Sequence, residues 1–267
     1  MNILWIRWLS LFSLDAVLVA LSWQEVLARA SHVHPTWQER ALLGISVWII
    51  YIVDHLLDAT SRTKLKNTNQ APRHYFVLKH RFFFVSAIVL VLLIDIALLP
   101  QISSSLLVAG SVLGLITVLY LFFNTSLLTG GIWPRGKEIL ISLIFTLGCG
   151  LVPFVHTHEY TILLFAMMGF LILNTINCIL IARLERVVDR TDLSRYLIPS
   201  PSWIVPSGLT LLLLNHLAGN APMVTAFFIS LMGLSLVPGI AKHYGYEVAS
   251  LATDGALVLG AVVSFWK

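Results

Sequence analysis

Runs of about twenty apolar residues, repeated along the whole chain and separated by short polar stretches, restrict this sequence to one environment. A helix needs about 20 residues to cross the hydrocarbon core of a bilayer. Such runs fall at roughly 3–28, 38–58, 82–99, 103–123, 138–154, 160–182, 203–218, 222–239 and 248–266. Of the 267 residues, 58% are hydrophobic and only 11% charged, where a soluble domain carries about 25% charged residues. One water-soluble core of this length would not hide so much apolar surface. The sequence therefore predicts an all-α, polytopic membrane protein with nine transmembrane helices. A disordered chain, a secreted disulfide scaffold and a nucleic-acid-binding domain are excluded on the same ground.

Several gaps between the runs are marked by proline, at Pro35, Pro100, Pro134, Pro199, Pro201 and Pro222. No long linker or shift of composition divides residues 1–267, which read as a single integral membrane domain. Cys149 and Cys178 both lie inside apolar runs and read as small packing residues. Arg7, the apolar stretch after it and Ala28-Arg29-Ala30 imitate a signal peptide, but the stretch is too long and holds Asp15, so it is read as the first span. With the N-terminus inside, only Arg29, Arg40 and Lys267 of the 17 Lys and Arg fall outside. The positive-inside rule selects that topology, and the basic balance of the chain reflects cytoplasmic loops.

Charges within a bilayer cost several kcal/mol, so they face cavities or one another and mark function. Two acidic clusters stand at the inner ends of the second and sixth spans. In the first, Asp54 and Asp58 are four residues apart, on one helical face, and Arg62 continues the stripe. In the second, Asn177, Glu185 and Asp189 follow the same four-residue rhythm. Carboxylate pairs at one depth, ringed by Arg and Lys, suit Mg²⁺ carrying phosphate oxygens, with the basic side chains holding the remaining phosphate charge. A lipid diphosphate fits, its head at the interface and its tail between helices. The plainer alternative is a set of interfacial charges pairing along helix ends.

This arrangement resembles the UbiA superfamily of intramembrane prenyltransferases. Its first motif has the form N-D-x-x-D-x-x-x-D, often trailed by Arg-Thr. The corresponding stretch here is Ile50-Tyr51-Ile52-Val53-Asp54-His55-Leu56-Leu57-Asp58, followed by Arg62-Thr63. Glu185 and Asp189 match the second, D-x-x-x-D-like motif, while Lys137-Glu138 and Gly148-Cys149-Gly150-Leu151-Val152-Pro153 match features between the two. Ile50 and Tyr51 stand where the motif carries Asn and Asp, and Glu185 stands for an Asp. The resemblance implies that Asp54, Asp58, Glu185 and Asp189 hold Mg²⁺ and that Arg62, Lys137 and Arg186 contact the diphosphate. It places Tyr51 near the reacting carbon, where its ring would stabilise positive charge. Lys137 also fits ordinary positive-inside placement, and Tyr51 ordinary interfacial packing.

The implied reaction is transfer of an isoprenyl group from a prenyl diphosphate to a lipophilic, aromatic acceptor at the cytoplasmic face of a bacterial inner membrane. The alternative is a catalytically degenerate relative that binds a lipid, quinone or pigment, or serves as a subunit of a membrane complex. A transporter is disfavoured, because nine spans do not divide into repeats and no matched pair of broken helices appears. On the outer side, His32, His34, His156, His158 and His216 offer two H-x-H pairs, read either as Zn²⁺ or Cu²⁺ ligands or as loop filler. Asp15, Asp95 and Asp254 within spans mark a polar cavity or helix–helix hydrogen bonds. Gly110-x-x-x-Gly114 is read as close helix packing. The stretch Arg73–Arg81 is either a short interfacial helix over the site or a basic loop on anionic lipid.

Overall fold

The computed structural model describes residues 8–64, 72–124, 137–189 and 221–265. Every regular element among them is helical: α1 (Leu14–Ala30), α2 (Trp37–Lys64), α3 (Pro72–Lys79), α4 (Arg81–Leu98), α5 (Ser104–Asn124), α6 (Lys137–His156), α7 (Tyr160–Asp189), α8 (Ala221–Tyr244) and α9 (Tyr246–Ser264), with a 3-10 turn at Leu99–Gln101. Six segments are long and apolar enough to cross a membrane: Trp37–Leu57, Arg81–Gln101, Ser104–Phe123, Glu138–His156, Tyr160–Leu184 and Met223–Tyr244. The chain is thus a multi-pass integral membrane protein. Of the nine expected spans, seven coincide with helices over their described residues, and the first coincides with α1 only from Leu14 onward. α1 has 17 residues and carries Asp15, Gln24 and Glu25, and the apolar part of α9, Val248–Ser264, is also short. The span expected at 203–218 lies outside the described residues.

The first span does not run unbroken from residue 3 to residue 28. Ser13 takes the left-handed conformation at φ 55°, and α1 starts after it. The break is held by α2: Ser13 Oγ lies 3.2 Å from His55 Nδ1, both side chains buried. Trp48 Nε1 donates to the Phe12 carbonyl at 3.0 Å. Asp15 Oδ1 accepts from the Ala16 amide at 2.9 Å, serving one of the donors that a helix start leaves open.

α1 occupies the centre of the bundle and packs against α2, α6, α7 and α9. Its Trp23, fully buried, stacks on Phe170 of α7 at 4.3 Å between ring centroids and touches Phe227 of α8 at 5.2 Å. The Trp23 indole N–H donates to the Leu257 carbonyl of α9 at 3.2 Å, so its one polar atom does not stay unpaired in the core. The closest helix approach among the described residues is between α8 and α9. A Cβ on Gly260 would overlap the Ser230 hydroxyl and lie 2.5 Å from the Ala226 carbonyl oxygen. Gly150 in α6 likewise lets Met167 of α7 in, its Cε 2.5 Å from where a Cβ would stand.

The stretch that read as interfacial helix or basic loop is helical over Pro72–Lys79. Val77, buried, packs with Ile52 of α2 and Phe84 of α4, so α3 is part of the fold. In contrast, α4 and α5 are poorly covered: Val85, Val89 and Leu93, and Val108, Val112 and Leu115, are exposed. In a bilayer those faces meet lipid, where exposure carries no hydrophobic cost.

Candidate functional site

α2 is one continuous helix of 28 residues, so Tyr51, Asp54, Asp58 and Arg62 follow one another by single turns along it. Tyr51 and Asp54 are half-buried. The Tyr51 ring stands edge-on to His55 at 6.2 Å and to Phe145 of α6 at 6.3 Å. Phe145 in turn lies 6.2 Å from Phe170 of α7, so an aromatic chain joins α2 to α7 through α6. The side chains of Asp58, Arg62, Lys137, Glu185, Arg186 and Asp189 lie outside the described residues; their backbones are helical. α1 and α6 each pack against both α2 and α7, so the two acid-bearing helices flank the same pair of neighbours.

Asn177 is buried and donates from Nδ2 to Asp254 Oδ1 on α9 at 2.8 Å. This resolves Asp254 as a helix–helix hydrogen bond, the kind expected of a polar group in a span. A helix turns about 40° for every four residues, so Glu185 and Asp189 lie roughly 80° and 120° round α7 from Asn177. Asn177 therefore belongs to the seam between α7 and α9.

A cavity of about 310 Å³ opens on the other side of Tyr51. α2 walls it from Glu39 to Tyr51, a length of about 18 Å at the helical rise. α1, α4, α5 and α6 supply the other walls, mostly with Leu, Ile and Val. Gly110 and Gly114 of α5 line it too, and a Cβ on Gly114 would meet nothing within 4 Å. Gly114, expected at a tight helix seam, leaves space instead, while a Cβ on Gly110 would just touch Leu151 of α6 at 3.8 Å. Seven polar side chains reach the wall: Gln24, Glu39, Ser46, Tyr51, Asp95, Ser111 and Thr117.

At the end of the cavity formed by the start of α2, Glu39 is almost fully buried and well served. Thr36 donates to its Oε2 from the backbone N–H at 2.7 Å and from the hydroxyl at 3.0 Å. The Glu39 amide returns a bond to Thr36 Oγ1 at 3.3 Å, making a reciprocal capping box. Glu39 Oε1 pairs with His156 Nε2 at 2.9 Å. His156 is thus tied to α2, and no group of three or more His, Cys, Asp or Glu able to hold a metal occurs among the described residues. His216 lies outside them.

Asp95 of α4 and Ser46 of α2 meet in the cavity wall, the Ser46 hydroxyl donating to Asp95 Oδ2 over a long 3.5 Å. Asp95 Oδ1 and both amide atoms of Gln24 are buried with no hydrogen-bond partner among the described residues. The sequence pointed to Asp95 but not to Gln24, Ser46 or Glu39. A lone Gln inside the apolar run Val17–Leu27 and the pattern Thr36-x-x-Glu39 were the signals available. Compared with protein-family models, characterised proteins and solved structures, the chain matches none of them.

Proposed function

We propose that this protein is a UbiA-like intramembrane prenyltransferase, moving an isoprenyl group from a prenyl diphosphate to a lipophilic, aromatic acceptor at the cytoplasmic face of a bacterial inner membrane. One observation carries the reading. Tyr51 sits in the wall of a long apolar cavity, and Asp54 and Asp58 follow it on the next two turns of the same helix. A lipid tail lying in that cavity would bring its head to the carboxylates.

Mg²⁺ takes one or two carboxylates and completes its shell with phosphate oxygens and water, so Asp54 and Asp58, with Glu185 and Asp189, would suit it. Bound there, it would supply charge stabilisation to the departing diphosphate. Arg62, Lys137 and Arg186 would hold the remaining phosphate oxygens. In the reaction the allylic C–O bond breaks, a C–C bond to the acceptor ring forms, and the ring loses a proton. Tyr51 would face the carbon that carries positive charge in between. Incubating the purified protein with radiolabelled prenyl diphosphates, Mg²⁺ and membrane extract tests this. A labelled lipid that requires Mg²⁺ supports it; no labelled lipid and no Mg²⁺-dependent diphosphate binding overturn it.

A second reading is a non-catalytic lipid, quinone or pigment binder, or a subunit of a membrane complex. It is favoured by Ile50 and Tyr51, which replace the motif's Asn and Asp and both line the apolar cavity.

A further inference from the structure

The least comfortable side chain in the structure is Gln24. It is 1% exposed, and neither its amide nitrogen nor its oxygen has a partner among the described residues. An unmade hydrogen bond on a buried group costs the full loss of its hydration, and native interiors keep such groups rare. A core position in α1 could have been Leu at no such cost. Gln24 stands in the cavity wall together with Asp95, which has one carboxyl oxygen likewise unpartnered, and with Ser46. These residues come from three different helices and line one apolar chamber, with Ser46 and Asp95 3.5 Å apart.

We propose that this chamber is a binding site for a membrane-dissolved lipophile whose head carries a hydroxyl group, held by Gln24 and Asp95. The donor and acceptor count selects that head. Gln24 offers an acceptor oxygen and two donor hydrogens, and Asp95 Oδ1 offers an acceptor. A hydroxyl both donates and accepts, so it can serve both residues. An ether or a carbonyl only accepts, so it can take a hydrogen from Gln24 Nε2 but leaves Asp95 Oδ1 without a donor. A phosphate is disfavoured, since Asp95 would repel it and no Lys or Arg is among the described lining residues. The soft terminal torsion of an amide lets Gln24 turn its nitrogen or its oxygen to the ligand. The length of the cavity along α2 takes an attached hydrocarbon chain. The inference does not depend on the acidic stripe: it holds whether or not Asp54 and Asp58 bind a metal.

The test uses the full chain in phosphatidylcholine nanodiscs, with radiolabelled para-decylphenol as probe, its methyl ether as the isostere without a donor, and empty nanodiscs to subtract partitioning. Saturable binding of the phenol is expected, with the ether weaker by at least about tenfold, or about 1.4 kcal/mol. Asp95→Leu should weaken the phenol by a similar factor and leave the ether unchanged, whereas Gln24→Leu, which removes the donor that both probes can use, should weaken both. Both variants should also unfold at a higher temperature than the wild type, because each removes buried polar atoms that lack partners. Equal binding of phenol and ether, absence of saturable binding, or leucine variants that bind the phenol as the wild type does would each overturn the site. The comparison of the two probes on the wild type stands even if a variant does not fold. Loss of prenyl transfer alone would not bear on it.

Discussion

Asp54 and Asp58 owe their place in the proposed chemistry to charge and to helical spacing. Asn keeps the size of Asp and most of its hydrogen bonding but loses the charge that holds a divalent cation. Asp54→Asn or Asp58→Asn should therefore lower prenyl transfer by several orders of magnitude, since metal charge stabilisation is worth several kcal/mol. The amount of folded protein recovered in detergent should stay near wild type. A variant with normal turnover would remove these acids from the reaction. At the start of α2, Thr36→Ala should cost about 1 kcal/mol in detergent unfolding, the usual loss on removing an N-cap hydroxyl. Thr36→Ser should restore most of it, and equal stability of all three would dismiss the cap. Polar residues in apolar runs were legible as exceptions, and Asp54 was found that way. Partners were not: that Asp254 meets Asn177 and Glu39 meets His156 depends on helices brought together over 77 and 117 residues of chain.

Helices were the most legible level, because a bilayer forces backbone groups to bond within each segment. The expected runs at 38–58, 82–99, 103–123, 138–154 and 160–182 each lie within a helix or run its length. The start of α1 was not readable, since the break at Ser13 is fixed by His55 on another helix. Glycine roles were also hidden. Gly110 and Gly114 have the spacing of a packing motif, yet Gly114 borders empty space and Gly110 only a loose contact with Leu151, while Gly260 carries the tight contact. Gly260→Ala should destabilise the protein by about 1–3 kcal/mol through overpacking between α8 and α9. Gly114→Ala should be neutral or stabilising by up to about 1 kcal/mol, the gain of replacing Gly in a helix. Thermal unfolding in nanodiscs compares the two, and the reverse ranking would contradict the seam described for α8 and α9.

For the molecule as a whole, the positive-inside count predicts an orientation with the N-terminus inside. His158 and Lys79 are both exposed and fall on opposite sides of that topology. In a chain freed of Cys149 and Cys178, His158→Cys should react with a membrane-impermeant maleimide on intact cells, whereas Lys79→Cys should react only after lysis. The opposite pattern would invert the protein and move the acids of α2 to the outer face. The scarcity of buried residues on α4 and α5 has a consequence of its own. These helices form a partition one layer thick, with hydrocarbon outside and an apolar chamber inside. A greasy molecule crossing it passes from one oil to another and gains almost nothing from leaving its first solvent, because lipid tails are as apolar as leucine. Its residence must then be decided by the few polar atoms it finds there, so discrimination between cargoes that differ by one oxygen would rest on Gln24 and Asp95 and hardly at all on the dozen aliphatic neighbours around them.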